Sequence, residues 1–354
     1  MGKAGTSLRS CPLVSVIIPV YSVDPSFFQK CLNSIASQTY DNIEIIVVDD
    51  GDEESTFKKI KSICQGYSNI SLIKKSNGGV SSARNEALAK CKGAYIVFLD
   101  SDDYFFSNEA IARSMSVVTS YDADIVIGQV ALDYGIEAIK EEKYDFIGGI
   151  KLLTEKEELE VLSHYFLSYS LPKDAPYLKG LRRGIASRIF KKECIMDLFF
   201  NTNLIYGEDS FFDYEAVKKA SRVVLVNETW YVYRQHSSSA IHHVELKEAI
   251  VHYNELIDAI PPEELVFLYE RVKNLLIHAS TQQARKKGFK KKVVAALMNE
   301  NIVHSLKNRK SMLFDEPLWK SVLCICLKRK KAFLYCLLVR SACLVSDLRN
   351  RHVF

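Results

Sequence analysis

No C-x-x-C pair occurs among the nine cysteines, which lie scattered at positions 11, 31, 64, 91, 194, 324, 326, 336 and 343. With no secretory signal at the N-terminus either, the pattern favours reduced thiols in a cytosol over disulfides or a zinc site. Also missing is an uninterrupted apolar run of roughly 18 residues, the length a spanning helix needs. The greasiest stretches near the end, "SVLCICL" and "AFLYCLLV", are each cut short by Lys or Arg, so the chain is expected not to cross a membrane. Internal repeats and low-complexity segments are absent as well.

What is present is ordinary for a soluble globular enzyme: 48% apolar and 25% charged residues in 354. That length predicts two domains, or one large domain with an appendage. The net charge of +4 hides an asymmetry, because residues 285–354 hold 17 Lys or Arg against 4 Asp or Glu. The tail is a basic module on an otherwise acidic chain.

From Val14 onward, short apolar runs alternate with amphipathic stretches: "VSVIIPV", "SFFQKCLNSIASQ", "IEIIVVDD", "ESTFKKIKSICQGY", "ISLIKK", "VSSARNEALAKC", "AYIVFLD". Continuous apolar strands between such helices predict a doubly wound α/β half with a parallel sheet covered on both faces. In that architecture a ligand lies outside the carboxyl ends of the strands. The polar loops "PVYSVD", "DDGDEES", "SNGGVSSARN" and "DSDDYF" follow the first four strands in turn. A further helix, "SNEAIARSMSVVTSY", and strand, "ADIVIGQV", precede a boundary placed between Ala131 and Gly149. Beyond it "EKEELEVLSHYFLSY" reads as a helix, "YGEDSFFDYEAVKKA" as a loop opening a helix, and "RVVLVNETWYVYRQHSSSA" as two strands around a turn. From Glu245 the text is helical.

The strongest local signal is "FLDSDD". Asp100, Asp102 and Asp103 repel one another unless something positive sits among them. Residues i and i+2 of an extended segment point the same way, so Asp100 and Asp102 can aim at one hard cation, for which Mg²⁺ or Mn²⁺ on a diphosphate is the fitting pair. Asp49 and Asp50 end the second strand, where a turn with a helix cap and a hydrogen-bonding site for a nucleobase or ribose both stay open. Asn77, Gly78 and Gly79 precede a helix whose backbone N–H groups suit an anion, with Arg84 and Asn85 one turn further on; a loop glycine pair with a surface arginine accounts for the motif alone, and its place beside the acidic loops is what favours the anion site. Glu208 and Asp209 fit either a general base in an apolar pocket or acids complementing a helix dipole. Arg234 and His236 add a weak signal.

Taken together, "VSVIIPVY", "SIASQTYDNIEIIVVDDGD", "NGGVSSARN", "YIVFLDSDD", "GEDSFF" and "YVYRQHSSS" resemble, in order and spacing, the family 2 glycosyltransferases, over roughly residues 13–240. The resemblance implies a GT-A type fold: a Rossmann-like, doubly wound mixed sheet with a helical C-terminal extension. It implies a nucleotide-sugar-binding half at 13–130 after an N-terminal extension at 1–12, an acceptor and catalytic half at 131–244, and a basic helical region at 245–354. By the same resemblance Pro19 and Tyr21 fall in the base and ribose environment, Asp49 and Asp50 near uracil or ribose, and Arg84 near the uracil or diphosphate. Asp100 and Asp102 fall on the sugar nucleotide; Asp102, Asp103 and His236 on Mn²⁺ or Mg²⁺; and Asp209 at the catalytic base. The implied reaction is inverting, metal-assisted transfer from a UDP-sugar to an acceptor hydroxyl on a growing or lipid-linked glycan of a cell-surface polysaccharide. One departure is that Gly51 is followed by Asp52 where the family usually has serine.

Two rival classes remain: a D-x-D phosphotransferase, whose acids normally follow the first strand, and a non-catalytic nucleotide-sugar-binding subunit of an assembly complex. For the tail, helices lying on an anionic cytoplasmic leaflet and a helical lid with a solvated basic face stay equally open. No nucleic-acid partner is expected, since the tail has charge but no binding motif. The expected location is the cytoplasm, at the inner face of the cell membrane if the tail binds lipid.

Overall fold

The computed structural model of the chain describes residues 11–135, 139–141, 149–168, 171–172, 174–204, 207–235, 255–256, 259–264 and 267. The chain divides into two compact units. The first comprises Met1–Leu159, Gly180–Thr202 and Glu215–Gln235; the second comprises Glu160–Lys179, Asn203–Tyr214 and His236–Phe354.

The first unit is built on one mixed sheet. Its strands are β1 (Val14–Val20), β2 (Ile43–Asp49), β3 (Ile70–Lys74), β4 (Tyr95–Phe98), β5 (Tyr104–Phe105), β6 (Ile125–Asp133), β7 (Lys140–Glu141), β8 (Ile150–Leu153), β9 (Arg188–Lys191) and β10 (Val223–Arg234). They lie in the order β3-β2-β1-β4-β9-β6-β10-β5, with β7 on β6 and β8 on β10. The pairs β1/β2, β2/β3, β1/β4 and β6/β10 are parallel. The inserted β9 runs antiparallel to both of its neighbours.

The helices are α1 (Pro25–Ala36), α2 (Glu54–Cys64), α3 (Val80–Lys90), α4 (Ala110–Tyr121), α5 (Lys156–Ser168), α6 (Lys192–Ile195) and α7 (Glu208–Lys219). Helix α1 begins where Asp24 caps it, accepting the Ser26 N–H at 2.8 Å, with Pro25 at the first helical position where its missing donor costs nothing. It buries Phe28, Cys31, Leu32 and Ile35, the stripe that a 3.6-residue period puts on one face. With α2 and α4 this stripe covers Val14, Val16, Ile18 and Val20 of β1 and Ile45 and Val47 of β2. Helix α3 packs on the same two strands. Every residue of β1 is buried, the continuous pattern of a parallel strand covered on both faces.

The predicted pair of strands around a turn in "RVVLVNETWYVYR" is instead the single strand β10. Its pairing to β6 continues on both sides of Asn227 and Glu228, with irregularities between Leu225 and Thr229 and between Thr229 and Tyr231. The polar residues that read as a turn are absorbed as bulges, which bend a strand without ending it. Trp230 then lies over Gly128, where an added Cβ would come within 2.4 Å of the indole.

In the second unit, His164 of α5 lies 3.3 Å from the Glu264 carboxylate and stacks on Phe267, while the Tyr214 hydroxyl donates to the same carboxylate at 2.6 Å. His236 and the helical region predicted from Glu245 fall outside the described residues, apart from the few positions between 255 and 267 given above.

Candidate active site

Because β1 to β4 are mutually parallel, their carboxyl ends share one edge, and the loops that follow them gather there. Pro19 is buried within β1, and Tyr21, just past its end, is 59% exposed. Asp52 reaches across to this turn and accepts the Ser22 N–H at 2.7 Å. The position at which the sequence departs from the family pattern therefore ties the first loop to the second.

Asp49 and Asp50 have different surroundings. Asp49 is fully buried; one of its oxygens accepts the N–H groups of Gly51 and Asp52, and the other has no hydrogen-bond partner among the described residues. Burial, and after it the neighbouring Asp52 carboxyl, raises its pKa above the usual carboxylate range. The carboxylate of Asp50 receives the Lys75 ammonium at 2.7 Å, the Gly79 N–H at 2.7 Å and the Gly78 N–H at 3.1 Å. Asn77 donates to the Asp50 carbonyl at 2.9 Å. The anion at the backbone donors of Gly78 and Gly79 is thus the protein's own carboxylate. Gly51 has φ +90, and a Cβ there would meet the Asn77 backbone nitrogen at 2.5 Å, so only glycine lets the two loops close.

The acidic turn after β4 is held from two sides. Arg84 of α3, itself buried, donates to Asp100 Oδ1 at 2.8 Å and lies over the Phe200 ring. Its neighbour Asn85 exchanges two hydrogen bonds with the Phe200 backbone, each 2.8 Å, and so fixes that ring. From the other side, β10 supplies the Tyr231 hydroxyl, which donates to Asp103 Oδ2 at 2.6 Å and accepts the Asp100 N–H at 3.3 Å, and the Arg234 N–H, which donates to Asp103 Oδ1 at 2.8 Å. Asp103 is fully buried, and burial together with the neighbouring Asp102 and Asp100 charges pushes its pKa well above the usual carboxylate range. Burial likewise pushes the Tyr231 phenol up and keeps it a donor. The Arg234 guanidinium lies 4.0 Å from the Phe27 ring centre, and one of its buried nitrogens has no hydrogen-bond partner among the described residues. Asp100 and Asp102 are only partly buried.

Among the described residues no three His, Cys, Asp or Glu side chains are arranged to hold a metal unaided. Mg²⁺ in nucleotide sites takes one or two carboxylates and fills its remaining positions with phosphate oxygen and water. Asp102, with Asp100 two residues away, fits that oxygen donor set. Both oxygens of Asp103 already have partners.

Asp209 stands in the first turn of α7, partly buried, with one carboxylate oxygen accepting the Ser210 N–H at 2.6 Å, and Glu208 beside it is buried. Both belong to the second unit. Sequence reading missed Lys75 and Tyr231. Neither lies in an acidic or glycine-rich motif; Tyr231 opens the stretch "YVYRQHSSS", in which only Arg234 and His236 drew notice.

Residues 15–190 match the family model described as "Glycosyl transferase family 2". EpsJ of Bacillus subtilis (strain 168), named an uncharacterized glycosyltransferase, is 31% identical over 232 residues, which cover 64% of this chain and 62% of EpsJ. The poly(ribitol-phosphate) beta-glucosyltransferase of Bacillus spizizenii is 25% identical over 299 residues, 78% of this chain and 47% of that protein. The chain therefore spans less than two thirds of either relative. Among solved structures, S. aureus TarS 1-349 in complex with UDP-GlcNAc superposes with a TM-score of 0.57 at 18% identity, covering 93% of this chain and 91% of that one. The fold is of the GT-A class.

Proposed function

The chain belongs to glycosyl transferase family 2, and from that premise we propose that it transfers a sugar from a nucleoside-diphosphate donor, UDP-linked, to a hydroxyl of a cell-surface glycan or of its lipid-linked precursor. The observation that carries this reading is the acidic turn Asp100–Asp103 at the carboxyl edge of a parallel sheet, held by Arg84 and β10. The UDP-GlcNAc bound to TarS and the anionic polymer named as the substrate of the B. spizizenii relative support the donor and acceptor classes.

In this reading Tyr21 and Pro19 border the nucleobase, Asp49 and Asp50 shape the loop that receives it, and Arg84 faces the diphosphate end. Asp102 holds Mn²⁺ or Mg²⁺, which supplies positive charge to the departing diphosphate. Asp209 takes the proton from the acceptor hydroxyl. The oxygen so exposed bonds to the anomeric carbon from the face opposite the diphosphate, and the bond from that carbon to the diphosphate oxygen breaks, inverting the centre. The basic tail, 17 Lys or Arg against 4 Asp or Glu in residues 285–354, fits an anionic surface, either the leaflet or the acceptor itself.

A screen of nucleotide sugars for transfer and hydrolysis, with and without Mn²⁺, tests the assignment. Metal-dependent turnover of one donor is the expected result, and wild-type turnover in excess chelator would remove the metal from it. Asp209→Asn should keep donor affinity and lose about 10² or more in rate, as expected for an absent general base. Equal loss of donor affinity would sink that role.

A further inference from the structure

Tyr231 and Asp103 are spent on each other, and their hydrogen bonds connect the two ends of the acidic turn. The Tyr231 hydroxyl has one proton to give and takes one hydrogen bond: the proton goes to Asp103 at 2.6 Å, and the bond comes from the Asp100 N–H at 3.3 Å. The other Asp103 oxygen takes the Arg234 N–H at 2.8 Å. Both side chains are at most 1% exposed. The backbone repeats the tie, since β5, which begins right after Asp103, pairs with β10 through Tyr231↔Phe105 and Val232↔Tyr104, and the Phe106 N–H donates to the Trp230 carbonyl. A side chain that is buried and doubly bonded cannot also turn outward to a ligand without leaving two buried donors unmet.

We propose that Asp103 is not a metal ligand but, with Tyr231, a positioning pair: β10 braces the turn so that Asp100 and Asp102 present their carboxylates to the metal diphosphate. This rests on the donor-site reading above and deepens it by separating the acids that bind from the acid that holds. The order of the letters fits the division. Asp103 immediately precedes β5 and is buried, whereas Asp100 and Asp102 lie on the turn itself and keep part of their surface in solvent.

The test follows Mn²⁺ by paramagnetic resonance as it is titrated into the full chain with UDP present, alongside amide exchange at Asp100 and the melting temperature. Tyr231→Phe keeps the ring and removes the hydroxyl. It should fold, exchange the Asp100 amide faster, and bind Mn²⁺ roughly tenfold more weakly, the factor that one lost hydrogen bond of ordinary strength represents. Asp102→Asn should abolish Mn²⁺ binding. Asp103→Asn, which keeps one acceptor, should weaken binding no more than Tyr231→Phe does. If Asp103→Asn is as empty as Asp102→Asn while Tyr231→Phe binds like the wild type, Asp103 is a ligand and the proposal is wrong. If the wild type itself fails to bind Mn²⁺ with UDP, the donor-site reading falls, and so does the presenting role proposed for the pair. Amide exchange then judges the brace separately, and unchanged exchange at Asp100 in Tyr231→Phe overturns it.

Discussion

Asp50, 2% exposed, has its charge met, among the described residues, from the loop after β3: Lys75, Gly78 and Gly79. Asp50→Ala would leave the half-buried Lys75 ammonium with the Ser76 carbonyl alone and take the carboxylate from the Gly78 and Gly79 N–H groups, a loss on the order of 2 kcal/mol, readable by urea unfolding; a loss under about 1 kcal/mol would mean the loop repairs itself with water. Asp49 gives a pH dependence. Its folded pKa is raised by burial and then by the Asp52 carboxyl, so the stability linked to it is fully present below the unfolded value and is lost as pH rises through the folded one. Asp49→Asn has no such titration. Its melting temperature should gain on the wild type as pH rises above about 4, the unfolded carboxyl's value, and a difference that stays constant with pH would refute the raised value. The acids themselves were legible in the sequence because like charges crowded at strand ends are uncommon. Their partners were not. Lys75 reads as one more surface lysine and Tyr231 as one more strand aromatic, because each meets its carboxylate only through the sheet.

At the scale of elements, what repeats with a period was readable. The apolar runs became β1 to β4, and α1 to α4 follow the predicted stretches, with Asp24 and Pro25 marking the start of α1. The short strand β9 carries no such signature. Four residues that include a fully buried arginine, whose guanidinium donates to the Ala186 and Arg182 carbonyls, look polar on paper, and pairing with β4 and β6 makes them a strand. Nor could composition say that Asn227 and Glu228 bulge instead of turning. That bulged strand lays Trp230 over Gly128. Gly128→Ala should cost about 1–3 kcal/mol through overpacking, and in Trp230→Leu the same substitution should cost less, since the two sites share one contact. Equal costs in both backgrounds would place the strain elsewhere.

For the whole molecule, the alternation of strand and helix announced the sheet, but not the insertion of β9 between β4 and β6, which depends on long-range pairing. The tail was legible only as charge. If it meets an anionic surface, the full chain should float with anionic vesicles at low salt and be released at high salt, while neutral vesicles leave it behind; flotation indifferent to salt would rule out that electrostatic attachment. The closed loops after β2 and β3 bear on how this protein can be re-engineered. Gly51 admits the Asn77 backbone only because it has no side chain, and among the described residues Asp50 is satisfied by donors from residues 75–79. A relative's β2 loop grafted alone would bring a stranger to that lock, so donor preference should be transplantable between relatives only when both loops travel together.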